Sequence, residues 1–255
     1  MKPTNQTLTA RVFQQAEQHD FSLVSGWLHA YSDAPEIALT SHDNGHGKQW
    51  TLLHWLADAE AKGQAHPEIV QALLDAGANP HQGDHADEIS GDTPFNIAAP
   101  SSPITGRLMT NHWLESALKS EGTKGLNDRS GSHGSTLSQY IGKWSEPNEI
   151  KSQLSRAKNR GMNVAVQNND GWTALHAAAA MGRTHAVKAF CKVYDPEEIQ
   201  LLTTNEYTAP YGVTFPANAT AIEIAQARLN STDTSEALKQ QLAECVASIV
   251  HTLKK

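Results

Sequence analysis

A chain of 255 residues with 39% hydrophobic side chains is long enough for one elongated domain or two compact ones. Its 27 acidic side chains outnumber 20 basic ones, a formal charge of −7 that disfavours nucleic acid and anionic membranes as main partners. The two cysteines, Cys191 and Cys245, provide neither a disulfide framework nor a zinc spacing and read as reduced core thiols.

In chain order, Met1 to Gln6 lead into no apolar run of signal-peptide length, so cytosolic synthesis is expected. No segment approaches the roughly 18 apolar residues that span a bilayer. Leu8–Glu17 predicts a helix, and Asp20 as N-cap predicts a second over Phe21–Ala30. A recurring phrase then begins at Trp50-Thr51-Leu52-Leu53-His54-Trp55-Leu56-Ala57. Pro67–Leu74 comes next as a helix and closes on Asp75-Ala76-Gly77-Ala78-Asn79, where Gly77 suits a left-handed cap. Asp92-Thr93-Pro94-Phe95-Asn96-Ile97-Ala98-Ala99 is a further copy, with Asn96 in the place of His54, and Ser135-Thr136-Leu137-Ser138 is a weaker one.

The best copy runs from Asn168 to Gly182. Gly171 suits a tight turn, Thr173 is placed to cap a helix and to bond His176, and Leu175, Ala178 and Ala179 allow close helix packing. Asp195–Leu202 reads as a short helix with Pro196 at its first position. Thr220-Ala221-Ile222-Glu223-Ile224-Ala225 is the last copy. After Ser235, the positions Leu238, Leu242, Cys245, Val246, Ile249, Val250 and Leu253 keep helical spacing for about five turns.

The phrase from Asn168 to Gly182 resembles the ankyrin repeat, D-x-x-G-x-T-P-L-H-x-A-A-x-x-G, and Leu73–Asn79 resembles its closing L-L-x-x-G-A-D. The resemblance implies an all-α ankyrin-repeat solenoid of about five helix-turn-helix repeats with short hairpin fingers and helical caps. A lone repeat cannot bury its apolar face, so several must stack. A single domain over 1–255 is expected, with capping helices in 1–42, repeats in 43–83 and 84–128, a degenerate repeat in 129–167, a repeat in 168–204 and a C-terminal capping repeat in 205–255. Counted at Thr51, Thr93, Ser135, Thr173 and Thr220, the steps are 42, 42, 38 and 47 residues. The family period is about 33. The surplus is expected as loops or lengthened helices at Ala59–Ala65, His81–Gly91, Pro100–Gly106, Glu121–Gly134 and Thr203–Ala219.

In ankyrin arrays contacts come mainly from the fingers and the exposed side of the inner helix. The resemblance therefore selects Lys48, Trp50, Asp58, Asn169, Asp170, Trp172 and Met181 as partner-binding residues. Trp50 and Trp172 share the place before the threonine, where an exposed indole would anchor an interface. The alternative is that each packs against its own neighbouring finger. His54 and His176 fall on the family's structural histidine. The functional expectation is a non-enzymatic, monomeric, cytoplasmic module that binds a protein partner through its concave face and inserted loops, with no cofactor and no small-molecule substrate. Short, acidic, irregular ankyrin proteins resemble host-directed bacterial effectors, delivered without a classical signal peptide. A bacterial cytosolic regulator or toxin-immunity protein is the second reading. A metal-dependent enzyme is the rival class, with its site in the inserted loops near His81, His85 and Asp87. No H-E-x-x-H, G-x-S-x-G or C-x-x-C motif supports it.

Overall fold

The computed structural model describes residues 5–30, 42–43, 49–84, 91–99, 101–123, 125–209 and 211–255. The chain divides into two compact units, residues 1–112 with 130–132, and residues 113–129 with 133–255. Each carries short inner helices followed by outer helices.

The first unit opens with α1 (Asn5–Ala16) and α2 (Val24–Ala30). Helix α2 begins three residues later than Phe21, the expected start. The Asp20 carboxylate instead accepts a bond from the Ser22 amide at 2.9 Å and closes a turn. Strands β1 (His42–Asp43) and β2 (Gln49–Trp50) pair antiparallel and lead into α3 (Leu52–Ala61) and α4 (Pro67–Asp75). Gly77 lies just beyond α4 with a φ of 96°, the left-handed conformation expected of it. Then come α5 (Pro94–Ala98) and α6 (Pro103–Lys119), whose residues from Trp113 onward belong to the second unit. Helices α1, α3 and α5 pack in one row, and α2 packs on α4 in another. Trp27, Leu53, Leu56, Leu73, Leu74 and Phe95 fill the space between them.

The second unit carries β4 (Ser135–Thr136), which comes after β3 (Arg129–Ser130), and then α7 (Leu137–Trp144) and α8 (Ile150–Asn159). Next are α9 (Ala174–Ala180), α10 (Thr184–Val193) and the single turn α11 (Pro196–Ile199). The antiparallel hairpin β5 (Tyr207–Thr208) and β6 (Thr214–Phe215) precedes α12 (Ala221–Leu229) and the long α13 (Glu236–Leu253). Here the two rows are complete: α7, α9 and α12 inside, α8, α10 and α13 outside. Leu137, Ile141, Leu154, Leu175, Phe190, Ile224 and Leu242 make their shared core.

Two expectations change. The fourth copy is read from Ser135, but the cap of α7 is Thr136, so the steps become 42, 43, 37 and 47. The surplus residues also do not all leave as loops. Most of Pro100–Gly106 is the first turn of α6, a helix of 17 residues, and Ala59–Ala61 belongs to α3.

Candidate recognition surface

Every inner helix after the first begins on a threonine in extended conformation: Thr51, Thr93, Thr136, Thr173 and Thr220. The residue three places on turns back to it, as a capping box requires. His176 Nδ1 accepts from the Thr173 amide at 3.2 Å, the Gln139 amide oxygen accepts from Thr136 at 2.8 Å, and the Glu223 carboxylate accepts from Thr220 at 2.7 Å. Three of these side chains have a second end that joins one copy to the next. His54 Nε2 lies 3.0 Å from the carbonyl of Asp92, Gln139 Nε2 donates to that of Trp172 at 3.3 Å, and His176 Nε2 lies 3.1 Å from that of Ala219. Each carbonyl belongs to the residue just before the next threonine. With Nδ1 accepting, Nε2 must carry the proton, so the histidines work only as neutral rings. Burial holds His176 down at about 4, against the opposing effect of the carbonyls of Ala219 and Leu201.

This frame decides which finger residues reach solvent. Asn169 is exposed and Asp170 half-buried at the tip, with His133 Nδ1 3.3 Å from the Asp170 carboxylate. The Asn168 side chain accepts from the amides of Asp170 and Trp172 at 3.1 and 2.8 Å, which fixes the turn. Gly171 has a φ of 77°, and a Cβ there would run into the backbone of Thr204. Met181, at the end of α9, is 48% exposed.

Trp172 is not the exposed anchor that its position suggests. Only 7% of it is accessible, because the 203–219 insertion folds back over it. The rings of Phe215 and Tyr207 meet it edge-on at 5.2 and 5.4 Å, and Ala209, Val213 and Ile224 complete the cluster. Its Nε1 has no hydrogen-bond partner among the described residues. Trp50 is half-buried against its own inner helix, stacked on His54 at 5.7 Å and edge-on to Trp55 at 4.6 Å. Asp58 is occupied by His19 at 2.8 Å and Lys62 at 2.7 Å. Burial pushes its carboxyl up, but these bonds outweigh that and leave it below the usual range. Lys48 lies outside the described residues.

Of the three residues named for a metal site, His81 alone is described, and it is otherwise engaged. His81 Nδ1 is 2.9 Å from Ser130 Oγ, its ring leans on Phe95 at 5.5 Å, and burial together with the charge of His112 holds it at about 4. His85 and Asp87 lie outside the described residues. Among the described residues no group of three His, Cys, Asp or Glu side chains is placed to hold a metal ion. Cys191 and Cys245 are buried and unpaired, and burial raises both thiols, Cys245 to about 11.

Residues 207–215 have a role that the repeat pattern does not announce, although the sequence carries a signal for it. Tyr207, Ala209, Tyr211, Val213 and Phe215 alternate with other residues at the period of a strand. All five belong to the cluster around Trp172.

Two family models match the chain: the ankyrin repeat over residues 48–85, and ankyrin repeats in many copies over residues 152–190. Among solved structures, an ankyrin repeat protein from Leishmania major is 17% identical with a TM-score of 0.41, over 81% of this chain. This chain spans 60% of that protein's length. No curated protein matches the sequence.

Proposed function

Because this chain is an ankyrin-repeat protein, we propose that it acts as a non-enzymatic module that recognises a protein partner with a rigid surface. Ankyrin repeats generally serve protein–protein interaction. The observation that carries the proposal is the pair of family matches, set on rows of capped helices whose side chains fix one finger against the next. Of the residues the resemblance selects, Asn169, Asp170 and Met181 remain on the surface of the second unit and are the contacts we assign. The indole of Trp172 belongs to the core. A host-directed effector, a bacterial regulator and a toxin-immunity protein all work by this kind of recognition, and the partner's identity separates them.

The test is quantitative capture from bacterial and eukaryotic lysates by the intact protein, by Asp170→Arg and by Met181→Asp, read by mass spectrometry. A protein retained by the intact chain and lost by either variant, with the unfolding midpoint unchanged, supports the reading. If nothing is retained specifically, the binding function falls. Retention that neither substitution alters removes the assigned surface.

A further inference from the structure

In the second unit a cleft of about 370 Å³ opens among the end of α7, the start of α8, the α9–α10 turn and α13. Its chemistry is set by cations. Lys143 and Arg183 both line it, both are half-buried, and neither has a carboxylate partner among the described residues. Arg183 donates to the backbone carbonyls of Gly142 and Lys143, which satisfies hydrogen bonds but leaves its charge uncompensated. The Lys143 ammonium lies 5.0 Å from the ring centre of Trp144. Burial and then the charge of Arg183 pull Lys143 down to about 8, and burial lowers Arg183 as well. Of the other charged groups in the cleft, His185 is exposed, while Lys188 and Glu244 pair with each other. Helix α10 begins here with no side chain capping its first turn, so the positive end of its dipole adds to the same field.

Two partly desolvated cations that line one cleft destabilise each other, and an anion bound there relieves both. The neighbouring surface says what kind of anion. Met181 lines the same cleft and is 48% exposed. A small free ion would leave that side chain in water, whereas a peptide covers it with an apolar residue while its carboxylate meets the cations. We propose that this cleft receives an acidic side chain of the protein partner, its carboxylate between Lys143 and Arg183 and an apolar neighbour over Met181. The proposal rests on the protein-binding reading above and adds to it a site and a ligand chemistry.

The test uses the full chain with its lysines ¹³C-methylated, and Lys143 identified through Lys143→Arg. Its titration is followed by NMR with a peptide of alternating glutamate and leucine, with the glutamine counterpart, and with inorganic phosphate. The expected result is a Lys143 midpoint near 8 in the free protein. The acidic peptide should move it up by roughly one unit, and the glutamine peptide should leave it unmoved. His185→Glu places a carboxylate at the cleft without touching the core. It should weaken the acidic peptide roughly tenfold, an effect that 0.5 M salt should largely erase. A Lys143 that titrates like an ordinary lysine, or that ignores the acidic peptide, overturns the proposal. A response to phosphate alone also overturns it, in favour of a small-anion site. These outcomes leave the lysate result standing, so the cleft can fail without the binding function failing.

Discussion

Trp50 and Trp172 occupy the same place in two copies of one pattern, each just before the threonine that caps an inner helix, yet their surroundings differ. Trp50 rests on the histidine and tryptophan of its own repeat and stays half-buried. Trp172 is roofed by the hairpin of the next repeat and sits 7% exposed in an aromatic cluster. The repeat pattern specifies where an indole is attached to the backbone. At Trp172 it is the insertion of residues 203–219 that turns the indole into core, so equivalent positions in a repeat protein are not equivalent sites.

The largest expected effect breaks that comparison directly. Trp172→Ala should cost about 3–5 kcal/mol, the range for removing a buried aromatic side chain. Trp50→Ala should cost less, because a partly exposed ring removes less surface from water on folding. Urea unfolding of the two variants measures both. Equal losses would mean that the hairpin does not bury Trp172 in the folded protein.

A somewhat smaller effect separates the histidine copies from the glutamine copy. His176 is held neutral when folded, at about 4. Free histidine titrates near 6.5. The unfolded chain therefore binds the proton more readily, so stability is full above about pH 6.5 and is lost as pH falls towards 4. Up to about 3 kcal/mol is at stake for this ring. His81 adds to the loss in the same window. Gln139 caps and staples its copy without a titrating ring. His176→Gln should accordingly keep the fold at pH 7 and flatten the loss between pH 6.5 and 4.5. Unfolding midpoints across that range check it, and an unchanged slope would assign the acid sensitivity elsewhere. Asp58 and Glu223 confuse the result little, since their own losses set in near the unfolded values of 3.8 and 4.5, at or below the foot of the window.

These contrasts show where the sequence is informative. The threonine caps, the residue three places on and the glycine of Gly171 are legible because each is local: it needs a particular atom or backbone angle a few residues away. The long last helix and its cap, Ser235, are legible for the same reason. Exposure is not legible. Whether Trp172 is covered depends on residues more than thirty places away, and whether Asp58 is free depends on His19. The alternation from Tyr207 to Phe215 has the period of a strand, but Pro210, Gly212 and Pro216 interrupt it and make the stretch read as loop. The cleft at Lys143 is less visible still, since one cation comes from α7 and the other from the turn before α10, and no motif joins them.

The smallest effect concerns the weakest copy, where the repeat's register is one residue from the position that its serine suggests. The difference matters chemically, because only one of two neighbouring hydroxyls can cap α7. Thr136 Oγ1 accepts from the Gln139 amide at 3.4 Å while its own amide donates to the Gln139 side chain. Thr136→Ala removes the acceptor and leaves the half-buried Gln139 amide short of a partner. It should cost about 1 kcal/mol, the usual value for a lost N-cap. Ser135→Ala, at a half-buried strand position, should stay within about 0.5 kcal/mol. Paired unfolding curves decide between the two registers. A larger loss at Ser135 would return the copy to the serine register, taking Gln139 out of the series of stapling residues and the link to the Trp172 carbonyl with it.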